Sequence, residues 1–163
     1  MDRYESPELE TPVYEDQPAP YRVDLELRGV DHSGDSFEGR VYLNNSGADA
    51  GTEPVADNGY AGSFFVFGHG PCYGAEGHCE PSEGPPISPY DYRAPHDLTR
   101  QSHKVDITDA VLSLEAGEKF TVTIVPVVNT PDDPFAQSDV LSFERLSVIS
   151  YDAPLPASAA ESA

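Results

Sequence analysis

The stretch "AGSFFVFG", residues 61–68, decides the fold class of this sequence. Its middle, from Ser63 to Phe67, is a run of aromatic and β-branched residues, which favour extended strands. The run is apolar on both faces at its centre, as is typical of a central strand covered on two sides. We therefore expect a central strand here, within a two-layer β structure.

Four further stretches alternate apolar and polar residues with a period of two, which indicates half-buried strands. In the first of them, Tyr21, Val23, Leu25 and Leu27 share one face. The four stretches are "YRVDLEL" (21–27), "FEGRVYLN" (37–44), "KFTVTIVPVV" (119–128) and "SFERLSVISY" (142–151).

One short helix is expected in "DITDAVLSLEAGEKF", residues 106–120. Thr108 or Asp109 is placed to cap its start, and Gly117 to end it. Its apolar face would come from Val111, Leu112 and Leu114. Residues 81–100 are proline-rich without periodicity and predict a long loop. Since no βα unit repeats, the fold class is all-β: an antiparallel β-sandwich or flattened barrel with one short helix and long Pro/Gly-rich loops.

A chain of 163 residues is long enough for one core. Residues 1–20 are acidic and proline-containing and predict a flexible N-terminal segment. Residues 21–152 form the expected β-sandwich domain. Residues 153–163 are small and polar and predict a flexible C-terminal tail.

The charge balance excludes some partners. Nine basic residues stand against 29 acidic ones, a net charge of −20, which repels nucleic acid and anionic membranes. Two explanations of the acidity stay open: solubility or adaptation to a salty interior, and an acidic face that steers a basic partner. No apolar run approaches the ~20 residues of a membrane span, and the N-terminus lacks the pattern of a secretory signal. As written, the chain is expected to be cytoplasmic, with export alongside a partner left open.

The loop after the aromatic run holds both cysteines. His69, Cys72, His78 and Cys79 offer two thiols and two imidazoles, which are ligand types that suit Cu(I) or Zn(II). Their spacing contains no C-x-x-C, so it matches no standard zinc pattern. The alternative is a Cys72–Cys79 disulfide closing a short glycine-containing loop, provided that the compartment is oxidising.

Catalytic motifs are missing from the sequence. It contains no G-x-S-x-G nucleophile elbow and no G-x-G-x-x-G loop. The five histidines include no helical His-x3-His pair of the kind that binds paired coppers. We expect no enzymatic activity from this chain on its own.

Four segments, in their order, resemble a known family. These are "FEGRVYLNN" (37–45), "AGSFFVFGHG" (61–70), "HKVDITDAVLSLEAGEKFTVTIVPV" (103–127) and "FERLSVISYD" (143–152). They resemble the KFDV-type C-terminal β-sandwich domain of plant polyphenol oxidases (tyrosinase-like enzymes), and also the C-terminal β-sandwich of molluscan haemocyanin. Both belong to the type-3 copper proteins.

The resemblance implies a role beside an enzyme. In these families a separate helical domain binds two coppers, the β domain packs over that centre, and one bulky side chain occupies the substrate entrance. It implies that this chain is a noncatalytic shielding, maturation or regulatory domain or subunit, partnered with a tyrosinase-like copper oxidase domain or subunit and covering its active site. The bulky side chain is predicted to be Tyr73, with Tyr90 and Tyr92 as rivals.

Two other functions stay open. In the second hypothesis the chain is a copper carrier that binds the metal through His69, Cys72, His78 and Cys79. Copper is then its cofactor. A generic structural or binding β-sandwich, without any link to copper, is the third hypothesis, because a fold does not fix a function.

Overall fold

A computed structural model describes residues 2–11, 22–68, 99–115, 117–128 and 140–151. Nine strands, one α-helix and a short 3-10 turn over Ala56–Asn58 make up this part. In chain order the strands and the helix are β1 (Tyr4–Glu5), β2 (Leu9–Glu10), β3 (Arg22–Val30), β4 (Phe37–Leu43), β5 (Tyr60–Val66), β6 (Gln101–Asp106), α1 (Thr108–Leu112), β7 (Lys119–Phe120), β8 (Val122–Val128) and β9 (Arg145–Tyr151).

The described strands form three sheets in which every pairing is antiparallel. One has four strands in the order β1-β8-β4-β5, one has three in the order β6-β3-β9, and β2 pairs with β7. The predicted antiparallel sandwich with a single short helix is confirmed, and the described strands close no barrel.

The core lies between the four-stranded and the three-stranded sheet. Because successive side chains of a strand point to opposite faces, the alternating pattern of β3 buries Val23, Leu25 and Leu27 completely. They pack in one cluster with apolar side chains of the facing sheet, among them Val41 and Ile124. The period-two patterns of the sequence therefore identified the core faces.

The predicted position of the "AGSFFVFG" strand is wrong. This stretch forms most of β5, which stands at the edge of the four-stranded sheet, with β4 as its one neighbour among the described strands. Phe64 and Val66 are buried, whereas 68% of Phe65 is exposed. An apolar residue on the outward face mimics the two-sided pattern of a central strand, although this residue is largely exposed.

The prediction of a flexible segment over residues 1–20 is corrected for residues 2–11. β1 pairs with β8 and β2 pairs with β7. Between them, buried Ser6 accepts a hydrogen bond from the backbone N–H of Val122 at 2.9 Å through its Oγ. At the far end, the Thr11 hydroxyl donates to the carbonyl of Glu118 at 3.0 Å. These polar side chains satisfy backbone groups of the sandwich, a role that the acidic composition does not reveal. The domain boundaries themselves stay predictions.

The helix α1 is shorter than predicted. Ile107 occupies its N-cap position without a side-chain hydrogen bond, and Ser113 follows its last residue. Thr108 does not cap the helix, since its Oγ1 accepts from the backbone N–H of Val23 at 2.9 Å. Val111 is buried but Leu112 is exposed. Within the described residues, no helix is long and apolar enough to cross a membrane.

Candidate functional site

The outward face of the four-stranded sheet is ordered in rows of side chains that lie opposite one another. One row is Phe65 on β5, Glu38 on β4 and Val127 on β8. Two residues further along β4, Arg40 lies between Ser63 and Val125. The Nε of Arg40 donates to Glu38 Oε2 at 3.0 Å.

A second, small core covers one end of this face. Tyr42, Ala48 and Val125 are buried together there, beneath the loop that joins β4 to β5. The Tyr42 hydroxyl donates to the carbonyl of Thr52 at 2.9 Å and so fixes that loop. Burial raises the pKa of Tyr42, which keeps its hydroxyl protonated as this donor.

The opposite end of the same face is open. Phe65 is 68% exposed, and Phe67, just beyond β5, is 77% exposed. We call these two side chains the β5 aromatic edge. Burial of a phenylalanine is worth about 1.5–3 kcal/mol. Two exposed rings on an edge strand therefore mark a surface that another apolar surface can cover.

Residues 69–98 begin just after the β5 aromatic edge, and both residues that flank them are bonded to the connection between β3 and β4. At the entry, the backbone N–H of Gly68 donates to Ser36 Oγ at 2.9 Å. At the exit, His32 Nε2 lies 3.0 Å from the carbonyl of Thr99. Both ends are thus held by the short connection between β3 and β4.

The residues predicted to carry the function lie outside the described residues. These are the proposed ligands and disulfide partners His69, Cys72, His78 and Cys79, and the proposed plugs Tyr73, Tyr90 and Tyr92. All of them belong to residues 69–98, which begin just after Phe67 and Gly68 at the β5 aromatic edge. Their roles stay predictions.

A chain of hydrogen bonds that the sequence did not reveal links His32, Gln101 and His103. The amide nitrogen of Gln101 lies 3.3 Å from His32 Nδ1, and its amide oxygen lies 3.2 Å from His103 Nε2. If each ring carries its proton on Nε2, then His32 donates to the carbonyl of Thr99, the Gln101 amide donates to His32 Nδ1, and His103 donates to the Gln101 amide oxygen.

The surroundings of His103 favour the neutral form. Burial, together with nearby His32, lowers the pKa of His103, and its ring lies 5.2 Å from the ring of Phe64. Gln101 and His103 are two residues apart on β6, so their shared face is readable from the sequence. Their contact with His32 could not be predicted from the sequence, because some seventy residues separate them from His32 along the chain and only the tertiary fold brings them together.

The described residues offer no metal centre. No group of three or more His, Cys, Asp or Glu side chains among them is arranged to hold a metal ion. Copper therefore has no ligand set in this part of the chain.

An open cleft of about 910 Å³ lies on the other side of the β4–β5 loop, between that loop and α1. It is lined by polar side chains that include Asp57, Asp106 and Asp109. The Thr108 hydroxyl bonds to Asp106 and holds the pKa of that carboxyl below its usual range. This carboxylate is thus part of the local structure.

Comparison with known proteins identifies the fold. No protein-family model and no curated protein sequence matches the chain. Among solved structures, the chain is similar to latent aurone synthase (polyphenol oxidase), both recombinantly expressed and from its natural source. Each comparison has a TM-score of 0.51 and 16% identity, and covers 94% of this chain and 25% of that chain. The predicted resemblance to a polyphenol oxidase is confirmed at the level of the fold and is consistent with a C-terminal domain. The chain spans a quarter of the length of the structures that it matches.

Proposed function

We propose that this chain is a noncatalytic β-sandwich that packs on a tyrosinase-like copper oxidase domain and covers its active site. The observation that carries the proposal is the extent of the structural match: nearly the whole chain aligns with one quarter of a latent polyphenol oxidase. A chain that corresponds to one part of such an enzyme needs the remainder, or a separate subunit, to supply the copper chemistry.

The β5 aromatic edge supports this proposal as the docking surface. Phe65 and Phe67 are largely exposed and would be shielded from water by an apolar surface of the oxidase. The Arg40–Glu38 pair beside Phe65 supplies a polar rim. In this arrangement residues 69–98 start at the interface, and Tyr73, with Tyr90 and Tyr92 as rivals, is the proposed occupant of the substrate entrance.

The proposal is tested by coexpression of the chain with a tyrosinase-like oxidase domain. We expect the two to copurify and the turnover of monophenols and diphenols to fall. The double substitution Phe65→Ser with Phe67→Ser should abolish copurification and restore turnover. Leu112→Ser is the matched control, because Leu112 is also an exposed apolar residue but lies on α1, and it should change neither readout.

The plug is tested separately from docking. Tyr73→Ala should restore turnover while copurification persists, since it removes the occupant and keeps the interface. If Tyr90→Ala or Tyr92→Ala does so instead, that tyrosine is the plug. Copurification that no aromatic-edge substitution weakens would contradict the docking surface, and unchanged turnover without copurification would contradict the function.

A further inference from the structure

The outward face of the three-stranded sheet has two layers of charge. On β3, Asp24 and Glu26 alternate with the core residues and point outward, as do their neighbours two residues away. Arg22 Nε lies 2.6 Å from Asp24 Oδ1, and Arg28 Nε lies 2.8 Å from Glu26 Oε2. From β6, Lys104 Nζ lies 3.9 Å from Glu26 Oε1.

Two carboxylates form a lower layer beneath the cations, whereas a third, Asp106 on β6, is 53% exposed and lies 3.8 Å from Arg22 Nε. The side chains of Asp24 and Glu26 are only 2% and 7% exposed, whereas those of Arg28 and Lys104 are 52% and 48% exposed. Hydrogen bonding to Arg28 lowers the pKa of Glu26 against the effect of its burial, which favours the charged form of this carboxyl. Above Glu26, a molecule that approaches this sheet meets the guanidinium group of Arg28 and the ammonium group of Lys104 first. We call four cations on this side of the sheet the cation face: the half-buried Arg22 and the exposed Arg28, Lys104 and Arg145.

This concentration of positive charge contrasts with the rest of the chain. The cation face gathers four of the nine basic residues of a protein with 29 acidic ones. Pairing with the buried carboxylates beneath it offsets part of the conformational entropy that these long side chains lose when they are ordered.

The face also has the composition of an interface. Arginine and tyrosine are enriched at protein–protein contacts, and Tyr151 on β9 stands beside Arg22 with its hydroxyl accepting from Lys104 at 3.3 Å. In both arginine pairs the Nε is the bonded atom. A guanidinium carries five N–H donors, so its terminal nitrogens are suited to hold a second carboxylate in a bidentate pair.

We propose that the cation face binds a carboxylate-rich surface of a partner protein. Charge complementarity selects this class. At physiological salt the screening length is about 8 Å, so a compact acidic surface responds mainly to the cations that it touches. A nucleic acid or an anionic membrane extends past the face and meets the acidic remainder of the chain, whose net charge is −20. This proposal does not depend on the identity of the oxidase partner.

The test titrates the isotope-labelled full chain with an oligoglutamate peptide at about 0.02 and about 0.15 M salt and follows backbone amide signals by NMR. We expect shifts confined to β3, β6 and β9, with binding that weakens as salt increases. Lys104→Gln and Arg145→Gln should each weaken binding about two- to fivefold, the range for an exposed ion pair. Lys104→Gln leaves Glu26 paired with Arg28, and Arg145→Gln gives an independent second variant.

Lys119→Gln is the matched control. Lys119 is 57% exposed, and its Nζ lies 3.2 Å from Glu8 Oε2. It belongs to β7, in the two-stranded sheet, so its substitution removes the same charge without changing the cation face. Binding should be unchanged. Three outcomes would overturn the proposal: no binding at low salt, equal weakening by Lys119→Gln, or tighter binding to phosphatidylserine vesicles or single-stranded RNA than to the peptide.

Discussion

Gly62 of β5 lies directly against Val105 of β6. A Cβ atom built on Gly62 would stand 2.7 Å from Val105 Cγ1, closer than carbon atoms approach, and the φ angle of Gly62 is +142°. β5 and β6 are edge strands of different sheets, so this contact is where the two layers of the sandwich meet side by side. The ring contact of Phe64 with His103 lies at the same seam.

Gly62→Ala is expected to destabilise the fold by about 1–3 kcal/mol, because it combines an unfavourable backbone angle with overpacking. Urea unfolding followed by circular dichroism measures the loss. The control is Gly47→Ala, where the nearest atom to the added Cβ is 3.6 Å away and little change is expected. Equal urea midpoints for the two variants would show that the contact between Gly62 and Val105 accommodates the added methyl group without loss of stability.

Thr123→Val is expected to stabilise the protein. Thr123 is completely buried, and within the described residues its Oγ1 has no hydrogen-bond partner. Such an unpaired buried polar group costs about 1–3 kcal/mol, and valine has nearly the same shape. We expect a gain of up to about 1 kcal/mol, measured as an increase in the urea midpoint.

Thr108→Val is the matched control for that substitution. The Thr108 hydroxyl bonds to the backbone of Val23 and to Asp106, so valine at this position leaves two partners unsatisfied and should destabilise. If Thr123→Val also destabilises, its hydroxyl has a partner in solution.

The sequence predicted which faces of the strands are buried better than it predicted the order of the strands within each sheet. Period two identified the core faces of β3 and β8, because burial of one face is a local property of a strand. Whether β5 is central or at an edge depends on which strands lie beside it, and that is decided by tertiary pairing. For the same reason β1 and β2, each two residues long, were missed: their partners lie more than a hundred residues away.

For the candidate site, the sequence predicted the types of residue but not their exposure or their tertiary contacts. The aromatic run of β5 stood out in the sequence, but the exposure of Phe65 required the sheet order. The link between His32 and His103 likewise depends on β3 and β6 being paired. Local residue patterns contain no information on such contacts.

Glu26→Gln is expected to change how stability depends on pH. The pKa of Glu26 is lowered from its ordinary value of 4.5, first by its hydrogen bond to Arg28. A carboxyl with a depressed folded-state pKa contributes stability that is present above the unfolded pKa and is lost as pH falls through the folded one. The wild type should therefore be more stable than the variant at neutral pH, and the difference should shrink as the solution is acidified below about pH 4.5.

Urea midpoints measured at intervals between neutral and acidic pH test this expectation. Glu8→Gln is the control, because Glu8 is 66% exposed in its pair with Lys119, and surface pairs contribute little. A constant difference between wild type and Glu26→Gln across the whole range would contradict a contribution from the ionised carboxylate.

His103 is expected to make the protein less stable in weak acid. Burial and nearby His32 lower its pKa below the ordinary value of 6.5, so the unfolded chain takes up a proton at a higher pH than the folded protein does. Stability is then fully present above about pH 6.5 and falls as pH decreases from there towards the folded pKa.

Two substitutions separate the titration from the hydrogen bond. His103→Leu and His103→Gln should both remove this pH dependence, since neither side chain titrates. His103→Gln can still donate to Gln101 Oε1 and should lose less stability at neutral pH than His103→Leu, by about 0.5–1.5 kcal/mol. Urea midpoints at about pH 5 and about pH 7 test both points. If the wild type and both variants lose stability equally on acidification, the titrating group lies elsewhere in the chain.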